Sequence, residues 1–249
     1  MKKLIIFLLM ISLVGIAGCI DMNKTALQVK NETVQITSGG QNYPAYVAAP
    51  LTEGERPAVV LIHSINGLQP GYKAMADKLA SDGFVTIAPE WQTFNRTPPD
   101  EVVMQLISDS VAYLKTRDDV DSENLGLTGF CIGGAFTMLF LPQMNEFKSG
   151  VAWYGFPYRG SENQSMPADF IDQLDAPMLI IHGTRDQSSN ISDIYRYAGE
   201  LDAADKYFEM KVYQGEPHGF MIDESQLSQS FPANDAYWQM ATFFNRTLV

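Results

Sequence analysis

The chain has 249 residues, a net charge of −12 at pH 7 and 46 % hydrophobic residues, enough for one domain with a well-filled core. The acidic balance, with no long basic run, argues against nucleic acid as a partner and against attraction to anionic lipid headgroups. Its cysteines are Cys19 and Cys131, too few for a disulfide framework.

The first residues read as an export signal. Met1-Lys2-Lys3 is positive, Leu4 to Ala17 is apolar, and Ile16-Ala17-Gly18-Cys19 sets small residues just before a cysteine. This is the pattern of a lipoprotein signal peptide over residues 1–18, with Cys19 lipidated and anchored in the membrane. An uncleaved single-span anchor is the alternative, because the apolar run approaches spanning length. Both place the remainder outside the cytoplasmic membrane. Loss of Lys2 and Lys3 with the leader takes the net charge to −14, and Cys131 is left as the one free thiol. Residues 19–31 read as a polar tether.

From 32 to 249 the pattern is that of one domain. Thr33–Thr37 and Tyr43–Ala49 are strands, joined through Ser38-Gly39-Gly40 as a hairpin. From Pro57 strands and helices alternate, with strands at 58–63, 84–88, 125–128, 150–153, 178–182 and 208–213 and helices near 71–82, 100–116, 132–141, 191–203 and 234–247. That order predicts an α/β domain with a mostly parallel central sheet and helices on both faces. In the helix at 100–116, Val103, Leu106, Ile107, Ser110 and Leu114 recur at three- and four-residue intervals, which leaves Asp109 and Lys115 toward water. Gly160 to Ala168 reads as an irregular loop. No repeat, metal-ligand cluster or dinucleotide fingerprint is present, so no cofactor is implied.

The chemistry starts at Thr128-Gly129-Phe130-Cys131-Ile132-Gly133-Gly134, where a short strand meets a helix. A nucleophile on so sharp a turn needs small neighbours, and Gly129 and Gly133 supply them. The free N–H groups and positive end of the helix point at the sulfur and favour a thiolate. This is the nucleophile elbow of an α/β-hydrolase, with a thiol where a serine hydroxyl usually stands. A buried packing cysteine is the alternative.

In that fold the acid and then the histidine follow on loops after later strands. Asp186 comes after Met178–His182 and His218 after Phe208–Tyr213. The expected roles are Cys131 as nucleophile, Asp186 as acid and His218 as base, Asp186 fixing the ring tautomer that lets the other nitrogen take the thiol proton. The loop Ser64-Ile65-Asn66-Gly67 lies where half of an oxyanion hole is built, so the backbone N–H groups of Ile65 and Ile132 are the candidate donors. His63 and His182 close strands and read as packed or hydrogen-bonded core residues. Trp91 and Phe94 after one strand, and Trp153, Tyr154, Phe156 and Tyr158 after another, are candidates for an apolar substrate pocket.

Gly-Phe-Cys-Ile-Gly-Gly at 129–134, His-Gly-Thr-Arg-Asp at 182–186 and Pro-His-Gly-Phe at 217–220 together resemble the dienelactone hydrolase family, over about residues 32–248. The resemblance implies the same three assignments and a small-molecule ester or lactone substrate. Two positions depart from the family's pattern. Ser64 stands where the family has a glutamate, and Ile222 where dienelactone-cleaving members have a substrate-binding arginine, with Arg96 and Arg159 as candidates for its place.

The expected reaction is acyl transfer to water. Cys131 attacks the carbonyl of an ester, thioester or lactone, and the Ile65 and Ile132 amides hold the oxyanion. His218 protonates the leaving oxygen and then activates water to open the acyl-enzyme. Hydrolysis of another acyl bond, such as a peptide, and a catalytically idle cell-surface module that binds a ligand in the same pocket are the alternatives. Six Asn-X-Ser/Thr sequons, at Asn23, Asn31, Asn95, Asn163, Asn190 and Asn245, hold over half of the chain's asparagines and point to N-glycosylation of an exported protein.

Overall fold

The computed structural model describes residues 26–160, 164–223 and 226–249. The leader, Cys19 and the sequon asparagines Asn23 and Asn163 lie outside the described residues. Strands β1 (Val29–Ser38) and β2 (Gln41–Pro50) form the expected hairpin, paired from Val29↔Pro50 to Ser38↔Gln41. Gly39 and Gly40 have φ of 55° and 78°, the left-handed pair that lets a two-residue turn follow the strand twist. Residues 29–31, expected in the tether, therefore belong to the sheet. Lys30 and Asn31 are polar and exposed and Val29 is partly buried, and an edge strand held by main-chain pairing gives no apolar alternation to read.

The strands β3 (Arg56–Ile62), β4 (Val85–Pro89), β5 (Val120–Phe130), β6 (Phe147–Trp153), β7 (Met178–Gly183) and β8 (Phe208–Tyr213) complete an eight-stranded sheet in the order β1-β2-β4-β3-β5-β6-β7-β8. β2 runs antiparallel to β4, and all pairs from β4 to β8 are parallel. β5 begins at Val120 rather than Leu125. Val120 pairs with Arg56 before the register shifts between Arg56 and Ala58, and the polar residues Asp121 to Asn124 hide this start from a hydrophobic pattern.

Helices α1 (Pro70–Ser81) and α5 (Phe231–Thr247) cover one face of the sheet, and α2 (Asp100–Leu114), α3 (Ile132–Phe140) and α4 (Ile191–Ala203) cover the other. The expected face of α2 is buried. Ser110 lies within it because its hydroxyl donates to the Leu106 carbonyl at 2.7 Å. α5 starts at Phe231, where the Ser230 side chain accepts the Ala233 N–H and Pro232 fits the first turn. The expected loop at 160–168 gives way to a 3₁₀ segment at Pro167–Gln173.

No helix among the described residues is long and apolar enough to cross a membrane. Asn31, Asn95, Asn190 and Asn245 are all exposed. The carboxyl ends of β3, β5, β6, β7 and β8 lie along one edge of the sheet, the place where open parallel sheets carry their ligand sites.

Candidate active site

Cys131 sits between β5 and α3 at φ 61° and ψ −117°, a backbone conformation costly to any residue with a Cβ. Hydrogen bonds fix it on both sides. Its N–H donates to the Trp153 carbonyl at 3.1 Å, and its carbonyl accepts the Ala135 N–H at 3.0 Å. The flanking glycines permit main-chain contact. A Cβ on Gly129 would overlap the Gly133 carbonyl, one on Gly133 the Ile62 carbonyl, and one on Gly134 the Trp153 carbonyl. The first turn of α3 thus rests directly on the ends of β3, β5 and β6. This contact sets the loop that carries Ile65 against the turn that carries Ile132, whose N–H, at the first position of α3, has no intrahelical acceptor.

Asp186 lies beyond β7 and is buried. Its Oδ1 accepts the N–H groups of Ser188 and Ser189, each at 2.8 Å, and its Oδ2 accepts from His218 Nδ1 at 2.7 Å. His182 lies beneath, with Nε2 3.4 Å from Oδ2 and donating to the Ser189 carbonyl at 2.9 Å. Burial opposes ionisation of Asp186. The hydrogen bonds from His218 and Ser189, with the nearby rings of His218 and His182, outweigh it and hold the carboxyl below its usual range.

With Nδ1 on Asp186, His218 has Nε2 left, and that atom is buried without a hydrogen-bond partner among the described residues. Burial disfavours the charged ring. The hydrogen bond to Asp186 and the interaction with the Cys131 sulfur overcome this and raise the pKa to about 9. Tyr154 meets the ring edge-on at 5.0 Å between centroids and Phe156 lies at 5.5 Å. The acid and histidine loops are stitched together. Thr184 N–H donates to Tyr213 O at 3.0 Å, Arg185 N–H to Glu216 O at 3.0 Å, and Gly215 N–H to Thr184 Oγ1 at 2.8 Å. Cys131, Asp186 and His218 are therefore gathered at one place from three separate strand ends.

The family model of the dienelactone hydrolase family matches residues 43–100 and 91–248. The chain belongs to the dienelactone hydrolase family. It is 30 % identical to a protein of Methylorubrum extorquens assigned as a carboxymethylenebutenolidase, over 82 % of this chain and 76 % of that protein. An Escherichia coli protein with the same assignment is 29 % identical over 85 % of each. A solved structure from Klebsiella pneumoniae, assigned as a dienelactone hydrolase, superposes with a TM-score of 0.82 at 27 % identity, over 88 % of this chain and 99 % of that one. The acylaminoacyl peptidase of Pyrococcus horikoshii shares the fold at 18 % identity and a TM-score of 0.75, across 42 % of its length. The chain is a hydrolase of the dienelactone hydrolase type.

The surroundings of the site in this family member differ from the expected aromatic pocket. Trp91 is buried, stacks on His63 at 5.2 Å and donates from Nε1 to the His63 carbonyl at 3.2 Å, so it supports the Ser64–Ile65 loop from below. Trp153 is fully buried against Phe130. Phe94 is 53 % exposed and packs edge-on against Tyr43, and Tyr158 lies under the Arg196 guanidinium at 4.1 Å. Of the six aromatic candidates, Tyr154 and Phe156 bring their rings to His218. Side chains at the strand ends turn into the layers between sheet and helix, which proximity along the chain does not reveal.

A different, narrow cleft opens beside Ile132. Ala135, Phe136 and Leu139 of α3 line it, with Asp100, Arg159 and Ser165 also at its walls. Arg159 is half-buried. Burial lowers its pKa, while the charges of Asp100 and Cys131 act the other way. Arg96 lies with Ile65, Asn66, Gln69 and Gln92 around an open polar hollow. Ile222 packs on Gly71 of α1. His63 is fully buried and donates from Nδ1 to the Ser64 carbonyl at 2.8 Å, and burial lowers its pKa to about 4.

The sequence reading missed Ser188 and Ser189, which hold the acid, and the α3 face of the cleft. The run Asp-Gln-Ser-Ser carried a signal for the first, since an Asp side chain commonly binds the N–H groups two and three residues on. Among the described residues no group of three or more His, Cys, Asp or Glu side chains is placed to hold a metal.

Proposed function

We propose that this family member hydrolyses a small ester, lactone or thioester through a Cys131–His218–Asp186 triad and a covalent thiol ester. One observation carries the reading. The 2.7 Å bond between His218 Nδ1 and Asp186 leaves a buried Nε2 without a hydrogen-bond partner among the described residues, and the Cys131 sulfur acts on the same ring. A histidine held so is protonated at Nδ1 and accepts the thiol proton at Nε2. The thiolate forms a bond to the carbonyl carbon, and the carbonyl electron pair moves to oxygen, with the Ile65 and Ile132 N–H groups as donors to it. Collapse expels the alkoxide, which takes the proton from His218. Water, deprotonated by His218, then opens the thiol ester and returns Cys131.

The test is hydrolysis of a short acyl ester by the purified full-length chain in mild detergent under reducing conditions, compared with Cys131→Ala and His218→Ala. Turnover lost in both variants is the expected result. No turnover by the wild type across short esters, thioesters and lactones, with ligand retention unaffected by Cys131→Ala, would overturn it in favour of a binding module.

The same proposal includes export and anchoring through a lipid on Cys19, supported by the order of charge, apolar run and small residues in the leader. Mass spectrometry of the native N-terminus checks this. A chain that begins at unmodified Met1 would refute cleavage and lipidation.

A further inference from the structure

The turn after β3 carries one of the two candidate oxyanion donors, and the polar groups around that donor are engaged. The Ser64 carbonyl accepts the Gly67 N–H at 3.2 Å, which closes the turn. Ser64 Oγ accepts the Asn66 N–H at 3.2 Å, and the Gln92 side-chain amide donates to the Ile65 carbonyl at 3.0 Å. The Ile65 N–H, by contrast, has no acceptor among the described residues. A main-chain N–H left open in so fully bonded a turn is a donor available to a ligand. A Cβ on Gly133 would meet the Ile62 carbonyl and stand 2.9 Å from the His63 oxygen, so the start of α3, with the Ile132 N–H, abuts the same stretch of chain.

The Ser64 carbonyl receives a second, shorter bond from a side chain. His63 Nδ1 lies 2.8 Å from it, and because a carbonyl oxygen only accepts, Nδ1 carries the ring hydrogen. The ring is fully buried and held in place. It stacks on Trp91 with 5.2 Å between centroids and 16° between planes, and Trp91 Nε1 donates to the His63 carbonyl at 3.2 Å. His63 Nε2 is buried without a hydrogen-bond partner among the described residues, a cost that a ring kept only for packing would avoid. The Ser64 carbonyl and the Ile65 N–H belong to one peptide unit. That unit is planar and trans, so its C=O and N–H point in opposite directions. Fixing the carbonyl toward His63 therefore aims the N–H away from it. A flipped peptide would bring the Ile65 N–H against the Nδ1 hydrogen, donor against donor.

We propose that His63 is a positioning residue for the oxyanion hole, its Nδ1 hydrogen bond locking the Ser64–Ile65 peptide so that the Ile65 N–H faces the oxygen that turns negative when Cys131 adds to a carbonyl. This rests on the reading of Cys131 as the nucleophile and Ile65 as a donor. His63 moves no proton and acts through the peptide alone. Its influence is felt where charge develops on oxygen, in acylation and in deacylation alike, and not in the formation of the thiolate. Without it the Ser64 carbonyl keeps only the 3.2 Å bond of the turn, and the N–H loses its fixed aim.

The test compares two variants of the full-length chain. His63→Phe keeps a flat ring against Trp91 but has no donor, and His63→Asn returns a side-chain N–H near the place of Nδ1. Two reactions of Cys131 are read in each, short-ester hydrolysis and alkylation by iodoacetamide, which displaces iodide from a saturated carbon and creates no oxyanion. Outright loss of one oxyanion donor costs about 10² to 10³ in kcat. For a donor still present but misaimed, His63→Phe should lower kcat and kcat/KM together by about ten- to a hundredfold, with KM and the alkylation rate within about twofold of wild type. His63→Asn should recover most of that loss. A kcat unchanged in His63→Phe, or hydrolysis and alkylation that fall together, overturns the proposal, whereas a wild type that hydrolyses no ester sinks the parent reading. If His63→Phe does not fold, the wild type decides the matter. Nitrogen-15 spectra at neutral pH should place the His63 hydrogen on Nδ1, and a hydrogen on Nε2 overturns the proposal.

Discussion

Asp186→Asn separates the charge of the acid from its shape. In the wild type, Oδ1 is committed to the N–H groups of Ser188 and Ser189 at 2.8 Å. An asparagine must place its carbonyl oxygen there, so its NH₂ takes the Oδ2 position, 2.7 Å from His218 Nδ1 and 3.4 Å from His182 Nε2. A donor facing Nδ1 forces that nitrogen to carry a lone pair, and the ring proton moves to Nε2. His218 then presents a hydrogen to Cys131 and cannot accept one. In a serine triad the equivalent change costs about 10⁴ in kcat. Here we expect a loss of about 10³ to 10⁴ in kcat/KM, equivalent to about 4 to 5.5 kcal/mol of transition-state stabilisation. Stability should fall by only about 1 to 2 kcal/mol, because both amide contacts survive while one charge-assisted bond is lost. The assays are short-ester hydrolysis and urea unfolding. A variant that retains activity within about tenfold of wild type, with the fold intact, would show that the ring tautomer does not govern the reaction.

Other expectations follow from single contacts. The pKa of His218 is raised from 6.5 to about 9, so its contribution to stability is complete below pH 6.5 and is lost as the pH rises through about 9. After allowance for the partly exposed ring this is about 1 to 2 kcal/mol. The excess of wild type over His218→Ala in urea unfolding should shrink between pH 6.5 and 9.5, and a constant excess would refute the assignment. Gly133→Ala places a Cβ into the Ile62 carbonyl and 2.9 Å from the His63 oxygen. It should cost about 1 to 3 kcal/mol, while Gly199→Ala in α4, with open space around it, should raise stability by up to about 1 kcal/mol. Both are read by denaturant unfolding. Arg159→Met should lower the preference for an acid-bearing ester over its neutral analogue by about tenfold, measured as a ratio of kcat/KM, because Arg159 lines the cleft beside Ile132, the residue after Cys131.

What could be read in the sequence was set by main-chain demands. The elbow glycines, the hairpin pair Gly39-Gly40 and the apolar run Met178–His182 each correspond to a backbone requirement met by few residue types. What escaped depends on side-chain direction. Trp91 and Trp153 stand at strand ends as a pocket would require, yet both turn into the core. The start of β5 was hidden by polar residues whose backbone, not side chains, joins the sheet.

The position of the stitched loops has a consequence for how the protein fails under stress. β8 is an edge strand, bonded on one side to β7, and every residue in it is only half-buried, while the elbow lies at the centre of the sheet with β3 and β6 on either side of β5. Edge elements open at lower free energy than the centre. As β8 frays, it takes His218 from Asp186 while Cys131 stays on an intact turn. Mild heating should therefore silence the site well below the temperature at which the molecule unfolds, and cooling should restore it.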